Sequence, residues 1–387
     1  MKPAKRLQQI PPYQFALIGQ RIRELTRSGH RVIRLDVGSP DAPPPPSVVH
    51  ALCDSASSPH THGYSGYKGT PEFRQAVARY YQSRFGVELD AEREILPLLG
   101  SKEGIVNLAF AVLDPGDIVL IPDISYPSYA VGAQFAGAHI HWIPLKPENG
   151  FKIDVDTVPA DIARQARLMW INYPNNPTGA ALSAADYDLL VAFCSEHNIL
   201  LASDNPYVEV TYDGYRAGSV LQSVQAKHQV IEFISFSKTY NMAGWRLGAA
   251  VGCAETIASL MQVKTNIDSG HFQAIYDAGI AALDTTPPSW ISDRNLCYQR
   301  RRDRLMSALP RMGLFPFKPS GAIYVWARVQ DGQADDFVRA ALEEAHVSIG
   351  PGSIYGPGGV SYVRFSLTCP EDQLDEAIER LICWREK

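Results

Sequence analysis

The stretch VIEFISFSKTYNMAGWRLGAAV, residues 230–251, carries two short apolar runs at 230–235 and 247–251, parted by a polar segment in which Lys238 follows closely on the first. Runs of this length, rich in β-branched and aromatic residues, read as buried strands. Comparable runs lie upstream at 118–121, 139–143, 168–172 and 199–203, with helix-patterned stretches such as 184–196 between several of them. Strands alternating with helices predict an α/β fold, a mainly parallel sheet covered on both faces. After about residue 285 the texture changes to a charged helix pattern at 293–309, an apolar run at 322–329, a helix at 335–344 and a strand at 361–367, the makeup of a smaller α+β domain. The prolines at 43–46 read as a stiff linker. The Gly- and Pro-rich stretch 349–359 reads as a mobile loop that either closes over a substrate or merely connects.

At 387 residues the chain is long enough for two domains or one large core. Its 45% apolar and 20% charged residues fit a folded globular protein rather than a disordered or fibrous one. The net charge of −5 is spread without long blocks of one sign, which excludes the basic footprint of a nucleic-acid binder. The basic start has no apolar core of a signal peptide, and no 18-residue uncharged apolar run occurs. The six cysteines are far apart and read as reduced thiols. A cytoplasmic location without membrane contact is the expectation. His60-x-His62 and His139-x-His141 lack a third ligand, so no metal site is read.

In an open α/β sheet the ligand crevice lies beyond the carboxyl ends of the strands, so polar residues that follow the apolar runs are the candidates. Lys238 has a second cation, Arg246, eight residues on; burial and like charge would both favour the neutral amine that attacks a carbonyl. A solvated loop lysine is the alternative. Asp204 closes the run at 199–203, where a carboxylate needs a cation or donor opposite it, such as a protonated pyridine nitrogen; an ordinary turn aspartate before Asn-Pro is the alternative. Gly100-Ser101-Lys102 opens a helix pattern and offers free N–H groups to a phosphate, or is simply a cap. Ser235 and Arg246 add a hydroxyl and a guanidinium fork for the same anion. With the Tyr207/Asn176 pair for a phenolic oxygen, these groups together meet the needs of one cofactor, pyridoxal 5'-phosphate (PLP).

The order and spacing of Tyr64-x-x-Tyr-x-Gly69, GSKEG from Gly100, YPSY from Tyr126, NNPTG from Asn175, DNPY from Asp204, SFSKTYNMAGWRLG from Ser235 and YVRFSL from Tyr362 resemble the class I/II aminotransferases over nearly the whole chain. The wording is closest to the bacterial LL-diaminopimelate aminotransferases, with Pro206 and the Leu35-Asp-Val-Gly-Ser-Pro opening as departures. The resemblance implies fold type I of the PLP-dependent transferases: a mostly parallel seven-stranded sheet flanked by helices, plus a smaller α+β domain built from both termini. Residues 1–45 would form the N-terminal segment of the small domain, 46–285 the large PLP-binding domain, and 286–387 the C-terminal part of the small domain.

It also implies roles. Lys238 would join the cofactor aldehyde as a Schiff base and shuttle a proton. Asp204 would pair with the pyridinium, and Tyr207 and Asn176 would bond the phenolic oxygen. Tyr126 would stack on the ring; Ser101, Lys102, Ser235 and Arg246 would hold the phosphate. Tyr64 would reach the phosphate of the neighbouring subunit, which requires a homodimer. Arg364 would grip the substrate α-carboxylate, with Gly38 as a backbone donor beside it and Asn176 alongside. The expected activity is ping-pong transamination between an L-amino acid, first LL-diaminopimelate, and a 2-oxo acid such as 2-oxoglutarate. Aspartate, glutamate, alanine, N-succinyl-diaminopimelate and aromatic amino acids are alternative donors. A C–S β-lyase would share the same cofactor residues. A cofactor-sensing effector module would need a DNA-binding extension, and 30 N-terminal residues are too few for one. Tyr67, Tyr129 and Tyr355 either line the substrate pocket or pack at domain edges.

Overall fold

The computed structural model describes residues 4–8, 10, 12, 14–224 and 226–387. Twelve strands occur among them: β1 (Ile33–Leu35), β2 (Ile95–Leu98), β3 (Ile118–Pro122), β4 (His139–Ile143), β5 (Ala166–Ile171), β6 (Leu200–Asp204), β7 (Val230–Ser235), β8 (Gly248–Gly252), β9 (Leu314–Phe317), β10 (Tyr324–Val329), β11 (Val347–Pro351) and β12 (Tyr362–Ser366). Seven form one sheet in the order β2-β8-β7-β6-β5-β3-β4, in which only β8 runs against its neighbours. The mostly parallel seven-stranded sheet expected from the sequence is therefore present.

Both faces of this sheet are covered, which is why its central strands read as unbroken apolar runs. Successive side chains point to opposite faces. Val119, Ile121, Leu168 and Trp170 pack with Ile105 and Leu108 of helix Ser101–Val112 and with Leu260 of helix Ala254–Lys264. The alternate residues Leu120, Met169, Ile171 and Leu201 pack on the other side against Tyr187, Leu190 and Val191 of helix Ala184–Glu196. That helix starts where the sequence placed it, because Ser183 and Asp186 satisfy each other's backbone N–H groups in a capping box.

The other five strands form a sheet of order β1-β11-β12-β10-β9. Here β1, from early in the chain, lies parallel to β11, and the remaining pairs are antiparallel. Helices Pro288–Ala308, Ala334–Glu344 and Glu371–Arg385 contribute Leu305, Phe337, Ala341, Leu374 and Leu381 to its core.

Two expectations need correction. Residues 349–351 are not loop but the end of β11, and the rest of 349–359 forms the tight turns Gly352–Tyr355 and Pro357–Gly359, with Tyr355 buried. Its glycines serve close backbone packing: a Cβ on Gly352 would lie 2.2 Å from the Gly359 carbonyl oxygen. Pro46 is not linker but the first residue of helix Pro46–Ser57, where its missing N–H costs nothing. No helix among the described residues is long and apolar enough to cross a membrane.

Candidate active site

The carboxyl ends of β2, β3, β5, β6 and β7 open onto a cavity of about 300 Å³ that residues following β1 and Arg364 of β12 also line, as expected of ligand crevices in open α/β sheets. Asp204 is the last residue of β6 and is buried. Its Oδ2 accepts a hydrogen bond from the Tyr129 hydroxyl at 2.7 Å, while Oδ1 has no partner. Burial pushes this carboxyl up to about 7, against the opposing pull of the Tyr129 bond. Asn172, just past β5, fixes the surroundings: its Nδ2 donates to the Asp204 carbonyl oxygen at 2.6 Å, and its Oδ1 accepts from the Asn176 backbone N–H at 2.7 Å.

Lys238 sits in the short helix Phe236–Thr239 that follows β7 and is capped by the Ser235 hydroxyl, which accepts from Ser237 N–H at 3.3 Å. Its Nζ donates to the Gly38 carbonyl oxygen. Burial pulls the amine below its ordinary value; nearby Tyr324 opposes this, and the charges of Arg364 and Arg246 reinforce it. The neutral, nucleophilic form is favoured.

The anion-binding groups converge around Gly100. This residue precedes helix Ser101–Val112 with φ of 77°, and a Cβ there would come within 2.2 Å of Nη2 of Arg246. The guanidinium therefore lies over the first turn of the helix, the end whose backbone N–H groups and dipole favour an anion. Nη1 of Arg246 also donates to the Ser237 hydroxyl at 3.4 Å. Ser101, Lys102, Ser235 and Arg246 all line the cavity.

Arg364, buried, donates from Nη1 to Asn176 Oδ1 at 2.9 Å and from Nη2 to the Asp36 carbonyl oxygen at 2.6 Å; its Nε has no partner. The guanidinium carbon lies 3.9 Å from the centre of the Tyr324 ring and 4.8 Å from that of Tyr355, a cation held between aromatic faces. The Tyr324 hydroxyl is 3.2 Å from that of Tyr207. Burial alone would raise the Tyr324 phenol, but Arg364 and Lys238 beside it, with the Tyr207 bond, leave it below its ordinary value. Gly38 is obligatory for space: a Cβ there would lie 1.9 Å from the Tyr324 hydroxyl oxygen.

Every residue to which the resemblance gave a role except Tyr64 lines this cavity; Tyr64 is 91% exposed and stands outside it. Tyr355 lines it too, and Tyr129 lies beneath it as the partner of Asp204, whereas Tyr67 is half exposed elsewhere. Sequence reasoning missed Tyr324, Asn172 and Asp36. Asn172 carried a signal, since it begins the polar run after β5; Tyr324 carried none, because its partner Tyr207 is 117 residues away and Arg364 meets it only when β10 pairs with β12.

These groups fit PLP on the structure's own terms. A buried carboxylate oxygen without a partner suits a pyridinium nitrogen, a helix start backed by an arginine suits a phosphate, and a depressed lysine amine suits an aldehyde. The model of the family aminotransferase class I and II matches residues 30–381. The chain is 44% identical over 382 residues to the LL-diaminopimelate aminotransferase of Dehalococcoides mccartyi and 45% identical over 382 residues to that of Moorella thermoacetica, with 98% of this chain and 98% of each relative covered. Its fold matches apo-BacF from Bacillus subtilis with a TM-score of 0.95 at 34% identity, covering 99% of this chain and 98% of the other. The chain thus belongs to the class I and II aminotransferases, PLP-dependent transferases of fold type I.

Proposed function

We propose that this aminotransferase takes its amino group from LL-diaminopimelate and passes it to a 2-oxo acid such as 2-oxoglutarate, in two half-reactions through one site. Carrying the reading is a single observation: Lys238, Asp204 and Arg364 line the same cavity, where Oδ1 of Asp204 and Nε of Arg364 are buried without partners and Nζ of Lys238 is held only by the Gly38 carbonyl oxygen. The substrate follows the relatives named above. Bound there, PLP supplies the carbonyl that carries the amino group and a protonated ring that withdraws electrons from the substrate α-carbon.

The chain's own residues do the rest. Asp204 Oδ1 would hold the ring nitrogen in its protonated form, and the Tyr129 bond favours the ionised carboxylate. Tyr207 and Asn176 would bond the phenolic oxygen, Tyr126 would cover the ring, and Ser101, Lys102, Ser235 and Arg246 would hold the phosphate. Arg364 turns its fork to the substrate α-carboxylate, with Gly38 beside it, and so aims the α-hydrogen at Lys238 Nζ, which takes the proton as general base. Tyr64, exposed on one chain, serves the phosphate site of a second copy in a cytoplasmic homodimer. Of the described residues, those up to 45 and from 286 to 387 would make up the small domain, and those from 46 to 285 the large one.

A donor screen tests this. Individual amino acids are mixed with PLP-loaded protein, and the absorbance of the bound pyridoxal form is followed as it converts to the pyridoxamine form. Glutamate, the product when 2-oxoglutarate accepts, must convert it as well, and LL-diaminopimelate should convert it at least tenfold faster than aspartate or alanine. Equal or faster conversion by one of those would overturn the substrate, and no conversion by any amino acid would overturn the transamination.

A further inference from the structure

We infer that Arg294 is a positioning residue that clamps the main chain at Lys238 to the main chain just past Tyr207, and so sets where the reactive amine stands. The inference rests on Lys238 being the amine that bonds the cofactor. Arg294 belongs to helix Pro288–Ala308, which packs on the small sheet, yet it reaches away to the site. Its Nη1 donates to the carbonyl oxygens of Lys238, at 3.1 Å, and of Thr239; its Nη2 donates to that of Glu209, at 2.5 Å. Asn295 completes the arrangement. Its Oδ1 accepts from Nε and Nη2 of Arg294, at 3.2 and 2.8 Å, and its Nδ2 donates to the same Glu209 carbonyl at 2.9 Å.

Two neighbours on the helix show what is unusual. Arg301 and Arg302 are as buried, and each pairs with a carboxylate, Asp41 and Asp213. None of the hydrogen bonds of Arg294 goes to a carboxylate, although it is only 7% exposed. A buried cation with no carboxylate bonded to it is costly, so beyond the Trp290 ring 5.4 Å away and the charge of Glu209 its compensation comes from peptide dipoles held at the right places. Displacing either chain segment strands that charge. The clamp therefore resists movement of the Lys238 turn relative to the Asp204–Tyr207 segment, the two pieces of chain that must meet the cofactor from different sides. It acts on the main chain of residue 238 and does not touch Nζ.

Full-length Arg294→Met and Arg294→Lys proteins, freed of cofactor and shown folded by thermal unfolding, test it with two measurements. One is the Kd for pyridoxine phosphate, the alcohol analogue that cannot react with an amine. The other is the rate at which added PLP bonds to the protein, where Nζ adds to the aldehyde carbon, C=N replaces C=O and water leaves, followed by visible absorbance. Arg294→Met should keep the analogue's Kd within threefold while slowing the bonding step tenfold or more. Arg294→Lys should recover only part of the rate, since one ammonium cannot fork across both segments. A bonding rate within twofold of the unsubstituted protein, or equal losses in both measurements, would overturn the clamp. Should Arg294→Met not fold, Asn295→Ala loosens the guanidinium without stranding it; a selective slowing of threefold or more supports the proposal and an unchanged rate defeats it. Lys238→Ala separates the underlying reading: if that variant still bonds PLP, the assignment of Lys238 fails whatever residue 294 does.

Discussion

Tyr129 is the residue on which the charge of Asp204 turns. Its hydroxyl gives the buried carboxyl its one side-chain donor, and its ring stacks on Trp170 at 4.7 Å and 7°, so Tyr129→Phe removes the bond and keeps the packing. Loss of a hydrogen bond to a buried charged group is worth about 1–3 kcal/mol. With that donor gone the carboxyl rises further, holds the ring nitrogen's proton less firmly, and kcat should fall about tenfold while the KM of the amino donor, set by Arg364, changes little. Steady-state kinetics at saturating PLP checks this, and an unchanged kcat would mean that Tyr129 only fills space. Arg364→Lys should do the reverse. It keeps one positive charge but loses the planar fork, so donor KM should rise about a hundredfold, or about 3 kcal/mol, with a smaller loss in kcat.

At the scale of elements, the helix start at Ser101 works only because Gly100 lets Arg246 lie against it. Gly100→Ala combines a left-handed backbone with a Cβ 2.2 Å from Nη2 of Arg246, so the guanidinium must move off the phosphate site. The expected result is a PLP Kd at least tenfold higher and a stability loss of about 1–3 kcal/mol, read by cofactor titration and denaturant unfolding. Wild-type affinity in a folded Gly100→Ala protein would dissociate Arg246 from the phosphate. The same scale explains what could be read in advance. Strand β7 matches its sequence run to the residue because a strand buried on both faces is mostly apolar, with Glu232 its one charged residue. Strands β2 and β9 escaped notice: both are short sheet-edge strands with an internal proline, Pro97 and Pro316, which edges tolerate and which erases the strand signal. The site shows the same division. Asp204, Ser235 and Lys238 were legible because they abut strong apolar runs. Tyr324 was not, since it meets Gly38, Tyr207 and Arg364 only after β1, β10 and β12 have assembled.

The cavity lies where both sheets contribute residues, so its uncompensated charge is felt by the unfolding of the whole molecule. In the cofactor-free chain Asp204 ionises near 7, far above an unfolded aspartate. Between about pH 4 and pH 7 the unfolded chain has lost this proton and the native chain still holds it, so the native state binds more protons and stability falls as pH rises across that window. Below the window the contribution is fully present; above it the loss is complete, on the order of 4 kcal/mol. Glu232, buried at 0% exposure on β7 and also raised by burial, adds a slope of the same sign, so the wild-type curve alone does not isolate Asp204. Asp204→Asn removes only the one group and can still accept from Tyr129. Urea unfolding of both cofactor-free proteins from pH 4.5 to 8 should show the wild type losing ground to Asp204→Asn up to about pH 7 and running parallel above it. Saturating PLP should reverse the order at pH 8, because the wild-type carboxylate then has its cation and the amide does not. Parallel curves through the whole range would show that burial does not raise this carboxyl, and an Asp204→Asn protein that gains as much from PLP as the wild type would show that no pyridinium faces it.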